Sequence, residues 1–194
     1  GARPGSVRRL TFPAPSASGG ASLCYLAKTT YIQGLLQSNG CVLMSCIFCQ
    51  IVEGKAPCHK VWEDEHHLAF LSIFPNTDGF TVVIPKKHYP SYAFDMPPQA
   101  LADLVLATQK VAKLLDKAFD DVGRTGMFFE GYGVDHVHSK LSPMHGTSDM
   151  TQWRPIESRQ TKFFAQYEGY LSSHDHERAD DEKLAALAAR IREA

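Results

Sequence analysis

The sequence predicts an antiparallel β-sheet with one long amphipathic helix laid on it, an α+β arrangement. Three observations predict it. Short runs rich in β-branched and aromatic residues follow one another closely between residues 60 and 85, the pattern of a meander. Apolar residues then recur at helical spacing from residue 101 to 119. After that helix, a short apolar run, a glycine-rich turn and a histidine-containing run complete the strand set. The chain has 194 residues and is 44% hydrophobic, enough for one domain with a core plus extensions.

Residues 1–43 look unlike the rest. Gly, Ser, Ala and Pro dominate the first 22, and no period persists. Arg3, Arg8, Arg9 and Lys28 give residues 1–45 a charge of +4 with no acid, as in organelle transit peptides. Gly1 is not an initiator, and the pattern tightens just after Met44. The expectation is a start near Met44, with 1–43 a low-order extension; a cleaved targeting segment is the alternative. A central domain over 44–150 and a C-terminal extension over 151–194 complete the division.

From Ser45 the elements follow in order. Cys46-Ile47-Phe48-Cys49 opens a short turn or helical piece. Strands are expected at 60–64, 68–73 and 80–85, with Glu65-His66 as a turn and 75–79 as a loop. Pro97-Pro98 opens the long helix, since proline is tolerated in a first turn. Leu101, Leu104, Val105, Val111, Ala112, Leu115, Ala118 and Phe119 form its core stripe. Gly123 to Gly126 reads as a turn, 127–130 as a strand, and 134–141 as another strand that Pro143 ends. Residues 145–160 read as loop anchored by Trp153 and Pro155, and 163–167 as one more short strand. A last helix begins after Asp180 as N-cap, with Asp181 and Glu182 in its first turn and Leu184, Leu187, Ala188 and Ile191 as its stripe.

The run Val134-Asp135-His136-Val137-His138-Ser139-Lys140-Leu141 carries the most chemistry. Strand alternation puts His136, His138 and Lys140 on one side and Val137, Ser139 and Leu141 on the other. Gly131-Tyr132-Gly133 just before it can bring backbone close to a ligand. A neutral imidazole with a pKa near 6.5 can attack phosphorus at neutral pH. His138 is the candidate nucleophile, with Gly131 and Gly133 backbone and the Lys140 charge stabilising phosphoryl oxygens. This reading requires the 138 ring to face an open phosphate pocket. The alternative is a surface strand with two incidental histidines. His59, His66 and His67 read as surface, His174 and His176 as solvated loop, and His145 as a residue of undetermined direction.

Five cysteines, an odd number with one C-x-x-C pair, do not read as a disulfide framework; they read better as an intracellular chain with a metal site. Zinc takes four N or S ligands in tetrahedral array. Cys46 and Cys49 supply one half-site, and His88 and His136 are candidates for the other. Four protein ligands would leave no open position, so the metal would be structural. Two reduced cysteines without metal are the alternative, and a catalytic zinc is a third.

Together, Cys46-Ile47-Phe48-Cys49-Gln50-Ile51-Val52, Val61-Trp62-Glu63-Asp64, Leu68-Ala69-Phe70-Leu71, Val83-Ile84-Pro85-Lys86-Lys87-His88 and His136-Val137-His138 resemble the histidine triad (HIT) superfamily over about residues 44–145. The resemblance implies an α+β fold, a homodimer, and hydrolysis or nucleotidyl transfer at a phosphorus next to a ribonucleoside. The substrate would be a purine nucleotide or nucleotide conjugate. The family nucleophile falls on His138, and its zinc ligands fall on Cys46, Cys49, His88 and His136. Three positions depart. Lys140 stands where the third motif histidine would be, and Ser72 where an Asp binds ribose hydroxyls. Tyr132-Gly133 stands where a Gln-Ser or Gln-Thr pair contacts phosphate. Ser72 still hydrogen-bonds a hydroxyl, without charge-assisted acceptance. A non-catalytic nucleotide-binding module on the same scaffold is the rival function.

Net charge is −1, so no overall basic field attracts nucleic acid, and no apolar run is long enough to span a bilayer. Neither nucleic acid nor membrane is an expected partner. The expected compartment is cytoplasmic, with an organelle as the alternative.

Overall fold

The computed structural model describes residues 46–149, 163–167 and 177–194. The elements run α1 (Ile47–Val52), β1 (Lys60–Glu63), β2 (His67–Leu71), β3 (Thr81–Pro85), a 3-10 turn (Ala93–Asp95), α2 (Pro98–Ala118), β4 (Val122–Phe128), β5 (Ser139–His145) and α3 (Asp181–Glu193). The five strands form one antiparallel sheet in the order β1-β2-β3-β5-β4. The meander of β1, β2 and β3 is as the sequence predicts. β5 then inserts between β3 and β4.

The sheet has two unlike faces. Val61, Ala69, Leu71, Val83 and Leu141 point to the main core, where they meet Leu104, Ala107, Val111 and Leu115 of α2. Leu184, Ala188 and Ile191 of α3 join the same cluster. On the other face Leu68, Phe70, Val82 and Ile84 form a smaller cluster, against which Phe48, Ile51 and Val52 of α1 pack. Phe70, Val82, Lys140 and Phe128 are cross-strand partners in one row of this second face. That register puts Lys140 among apolar neighbours.

α2 starts as expected, with Pro98 in its first turn. α3 begins at Asp180, whose carboxylate accepts the Lys183 N–H at 3.0 Å. Arg190 and Arg192 in its last turn complement the helix dipole.

Four strand assignments change. β5 begins at Ser139, so His136 and His138 precede the strand instead of lying in it. The reason lies in the partner. β3 ends on Pro85, which has no N–H to continue the ladder. The Val137 N–H turns instead to the Tyr89 carbonyl, 2.9 Å away. Pro143 does not end β5 but sits within it, paired with Thr125 of β4. The β3 ladder has already stopped at the Thr81–Leu141 pair, so the missing N–H costs no bond on that side. Gly123 and Gly126 lie in β4, which carries a bulge between Val122 and Thr125, and are not a separate turn. Residues 163–167 form bends and no strand. The expectations for 1–43, Trp153, Pro155, His174 and His176 fall outside the described residues. Among the described residues, no helix is long and apolar enough to cross a membrane.

Candidate functional site

α1 brings two cysteines to one place. Cys46 is its N-cap and Cys49 lies one turn on, so both thiols face the same side. Opposite them, two loop segments are pinned together. Val137 N–H donates to Tyr89 O, and Ser91 N–H donates to Asp135 Oδ1 at 2.9 Å. Gly131 adopts φ +76°, and a Cβ there would stand 3.3 Å from Ser91 O. The first glycine of the turn is therefore needed for the turn's own packing. Gly133, at φ +89°, has open space around it.

This arrangement gathers Cys46, Cys49, His88 and His136, whose ligand atoms all lie within 4.8 Å of one another. Cys46 Sγ is 3.5 Å from His136 Nδ1, and Cys49 Sγ is 3.4 Å from His88 Nδ1 and 3.6 Å from His136 Nδ1. Zinc–sulfur bonds of about 2.3 Å and zinc–nitrogen bonds of about 2.0–2.1 Å put neighbouring S and N about 3.6 Å apart at a tetrahedral angle. The donor set and its spacing therefore fit zinc. His136 is also in the right tautomer. Its Nε2 lies 2.8 Å from Pro85 O, and a carbonyl only accepts, so Nε2 carries the proton and Nδ1 keeps its lone pair. Burial lowers the His136 pKa and raises that of Cys49.

His138 is held in the opposite sense. Its Nδ1 lies 2.8 Å from the His136 carbonyl, which assigns that nitrogen the proton. Nε2 therefore carries the available lone pair. Burial, then the nearby Lys140 charge, lowers the pKa despite the carbonyl bond, so the ring is neutral at neutral pH. The Phe48 ring stands edge-on to His138 at 5.4 Å and to His136 at 5.8 Å. The sequence predicts a ring that faces an open pocket; it is 3% exposed. Phe48 covers one side of it because α1 folds over this end of the sheet. Lys140, His136 and Glu130 are near enough to act on its charge, so its surroundings are mixed, but the open face that the nucleophile reading requires is not met at 3% exposure.

The sequence predicts that Lys140 offers positive charge to a ligand. Its ammonium instead meets Glu130 Oε2 at 2.7 Å, with the two side chains 12% and 6% exposed. Strand alternation accounts for the side Lys140 occupies but not for this partner, ten residues earlier. Tyr132 is exposed and stacks on Tyr167, ring centroids 5.5 Å apart. Ser72 Oγ accepts the Phe74 N–H at 3.2 Å. Ser72 lines a cleft of about 410 Å³ between the 75–80 loop and the start of α3, which includes neither His138 nor Lys140.

The remaining histidines sort by contact. His145 turns away from the site, to Asp121 through Nδ1 and to the Asp78 carbonyl through Nε2. His67 is buried and not on the surface, because Asp64 Oδ1 accepts both its backbone N–H and its ring nitrogen. His66 is exposed as expected, and His59 pairs with Asp181 at 2.9 Å. Phe48, Glu130 and the Pro85 carbonyl are contacts that the sequence reading did not single out. Phe48 was the accessible one, since it stands between the two cysteines.

A family model for the HIT domain matches residues 53–145. An uncharacterized HIT-like protein from Methanocaldococcus jannaschii is 38% identical over 118 residues, covering 58% of this chain and 90% of that protein. An adenosine 5'-monophosphoramidase from Schizosaccharomyces pombe is 37% identical over 100 residues, covering 52% of this chain and 74% of the relative. The crystal structure of a Zn-bound histidine triad family protein from Mycobacterium smegmatis superimposes with a TM-score of 0.53 at 25% identity, covering 77% of this chain and 92% of that one. The antiparallel sheet, the helix laid on it and these matches agree: the chain belongs to the HIT family.

Proposed function

We propose that the chain is a nucleotide hydrolase or nucleotidyl transferase that works through a covalent nucleotidyl-histidine at His138. The observation that carries this reading is the 2.8 Å contact between His138 Nδ1 and the His136 carbonyl, which assigns the proton to Nδ1. Nδ1–H is committed to the His136 carbonyl, which leaves the Nε2 lone pair for attack on the α-phosphorus. As the Nε2–P bond forms, the bond from phosphorus to the leaving group breaks, and a leaving amine takes its proton from solvent. Water then attacks the same phosphorus, the P–Nε2 bond breaks, and the nucleotide departs. Backbone at Gly131 and Gly133, with Lys140, is the proposed stabiliser of phosphoryl charge. Tyr132 and Ser72 are the proposed further contacts to a purine nucleotide or nucleotide conjugate. The relative named as an adenosine 5'-monophosphoramidase supports this substrate class.

Cys46, Cys49, His88 and His136 would hold zinc as a structural ion, and a Zn-bound family member supports that. When bound, it ties α1 to the segment before β5. A homodimer fits the family, and the exposed Phe94 and Leu106 are apolar side chains a second copy would cover. Light scattering on the purified chain tests that arm. The division at residues 43 and 150, and a cytoplasmic location, belong to the same proposal; limited proteolysis and cell fractionation test them.

A second reading is a non-catalytic nucleotide-binding module. The 3% exposure of His138 and the Glu130 partner of Lys140 favour it. Incubation with adenosine phosphoramidate and with dinucleoside polyphosphates, followed by intact-mass spectrometry, separates the two. A nucleotidyl adduct that disappears in His138→Asn, together with turnover, is the expected result. Nucleotide binding without adduct or product under any condition favours the module.

A further inference from the structure

We propose that Tyr167, far outside the matched HIT segment, is a positioning residue for the nucleotide site, acting on Lys140 through Glu130. The inference rests on the nucleotide-site reading above and adds a part that lies beyond residue 145.

Glu130 has two oxygens and each has its own donor. The Tyr167 hydroxyl donates to Oε1, and the Lys140 ammonium donates to Oε2 at 2.7 Å. A carboxylate held at both oxygens is fixed in plane and cannot swing about its terminal bond. The ammonium it carries is therefore fixed as well, two residues from His138 and on the sheet row shared with Val82 and Phe128. The Glu130 and Lys140 side chains are nearly buried, so their pairing is shielded from solvent, while Tyr167 reaches Glu130 from the exposed side.

The same residue anchors a second part of the site. The Tyr167 ring stacks on Tyr132 at 28° between planes. Tyr132 stands between two glycines of positive φ, at +76° and +89°, where neither neighbour restrains the backbone sterically as a side chain would. The stack holds the middle of that turn. One tyrosine, 35 to 37 residues beyond its partners, thus fixes both the cation and the turn of the proposed phosphate site.

The test uses the full chain with its metal complement, and four forms: wild type, Tyr167→Phe, Lys140→Gln and the double variant. Circular dichroism follows the fold of each. The readouts are kcat/KM for adenosine phosphoramidate and the dissociation constant for AMP. Tyr167→Phe keeps the ring and removes the hydroxyl. The expected result is a loss of about tenfold in each readout, the scale of one lost hydrogen bond to a charged group. In the Lys140→Gln background the same change is expected to add nothing, because the path through Lys140 is already cut. A purely structural role would act equally in both backgrounds. Wild-type readouts in Tyr167→Phe, or a full further loss in the double variant, overturn the inference. If wild type binds AMP and never turns over, the hydrolase reading fails while the AMP affinities still decide for or against Tyr167. If wild type neither binds nor turns over, both fall.

Discussion

Glu130→Gln is the most informative single change for stability, because it separates a buried ion pair from its packing. Lys140 Nζ and Glu130 Oε2 are 2.7 Å apart. At an effective dielectric of about 20 the gross attraction is about 6 kcal/mol. Most of that offsets the cost of taking both charges out of water. Gln keeps the shape and can still accept from the Tyr167 hydroxyl, but it leaves an ammonium only 12% exposed without this carboxylate. The expected destabilisation is about 3–5 kcal/mol. Lys140→Met added to Glu130→Gln removes the ammonium as well as the carboxylate, and the double variant is expected within about 1 kcal/mol of wild type. Guanidinium melts with m-values held constant read the difference. A Glu130→Gln loss under about 1 kcal/mol, or a double variant as unstable as the single, would show that the buried pair contributes no more than a surface one.

Other changes probe other parts of the chain. Cys49→Ser removes the thiol that approaches both His88 and His136, and zinc per chain by plasma mass spectrometry is expected to fall well below that of wild type. Cys58→Ser, outside the cluster, is the control and leaves it unchanged. His145 donates to the Asp78 carbonyl and to Asp121, which raises its pKa above the ordinary value. A raised folded-state pKa means that its stabilising contribution is fully present below about pH 6.5 and is lost as pH rises through the folded value. Melting midpoints from pH 6 to 8.5 should therefore fall more in wild type than in His145→Gln; parallel curves would count against the pair. Gly79→Ala combines φ +78° with a Cβ 2.7 Å from the Phe119 ring, and an unfolding titration should register a loss of about 2–4 kcal/mol. Gly133→Ala has φ +89° but open space, so its loss should stay near about 1 kcal/mol.

What the sequence made legible was whatever depends on local period and residue chemistry. Leu104, Val111 and Leu115 of the α2 stripe follow from spacing, although Ala107 and Thr108, also buried, were not in it; the α3 N-cap follows from Asp180 and the acids after it. The convergence of Cys46, Cys49, His88 and His136 was legible because thiol and imidazole pairs at that spacing suggest a shared site. What failed depends on a distant partner. The start of β5 is decided by Pro85, 54 residues before Ser139, which ends the neighbouring ladder. The burial of His67 is decided by the Asp64 carboxylate closing a turn on it. The charge state of the proposed phosphate site depends on Glu130, and its cover on Phe48. Neither is written in the histidine run. Alternation nevertheless survives where the strand does not, since Val137 and Leu141 reach the main core while His136 and His138 face Phe48.

That alternation has a chemical consequence. Two imidazoles on one side of the chain would ordinarily be equivalent, and here two backbone carbonyls make them opposite. Pro85 O fixes the His136 proton on Nε2 and turns Nδ1 toward the thiols. The His136 carbonyl fixes the His138 proton on Nδ1 and frees Nε2. The residue that offers a ligand atom through its ring is thus the residue that orients the next histidine through its backbone. Anything that loosens the 136 ring loosens the carbonyl on which the 138 tautomer depends. Cys49→Ser, whose thiol lies against the His88 and His136 rings, should therefore reduce turnover as well as zinc content. A variant with zinc lost and turnover intact would show that the two histidines are independent after all.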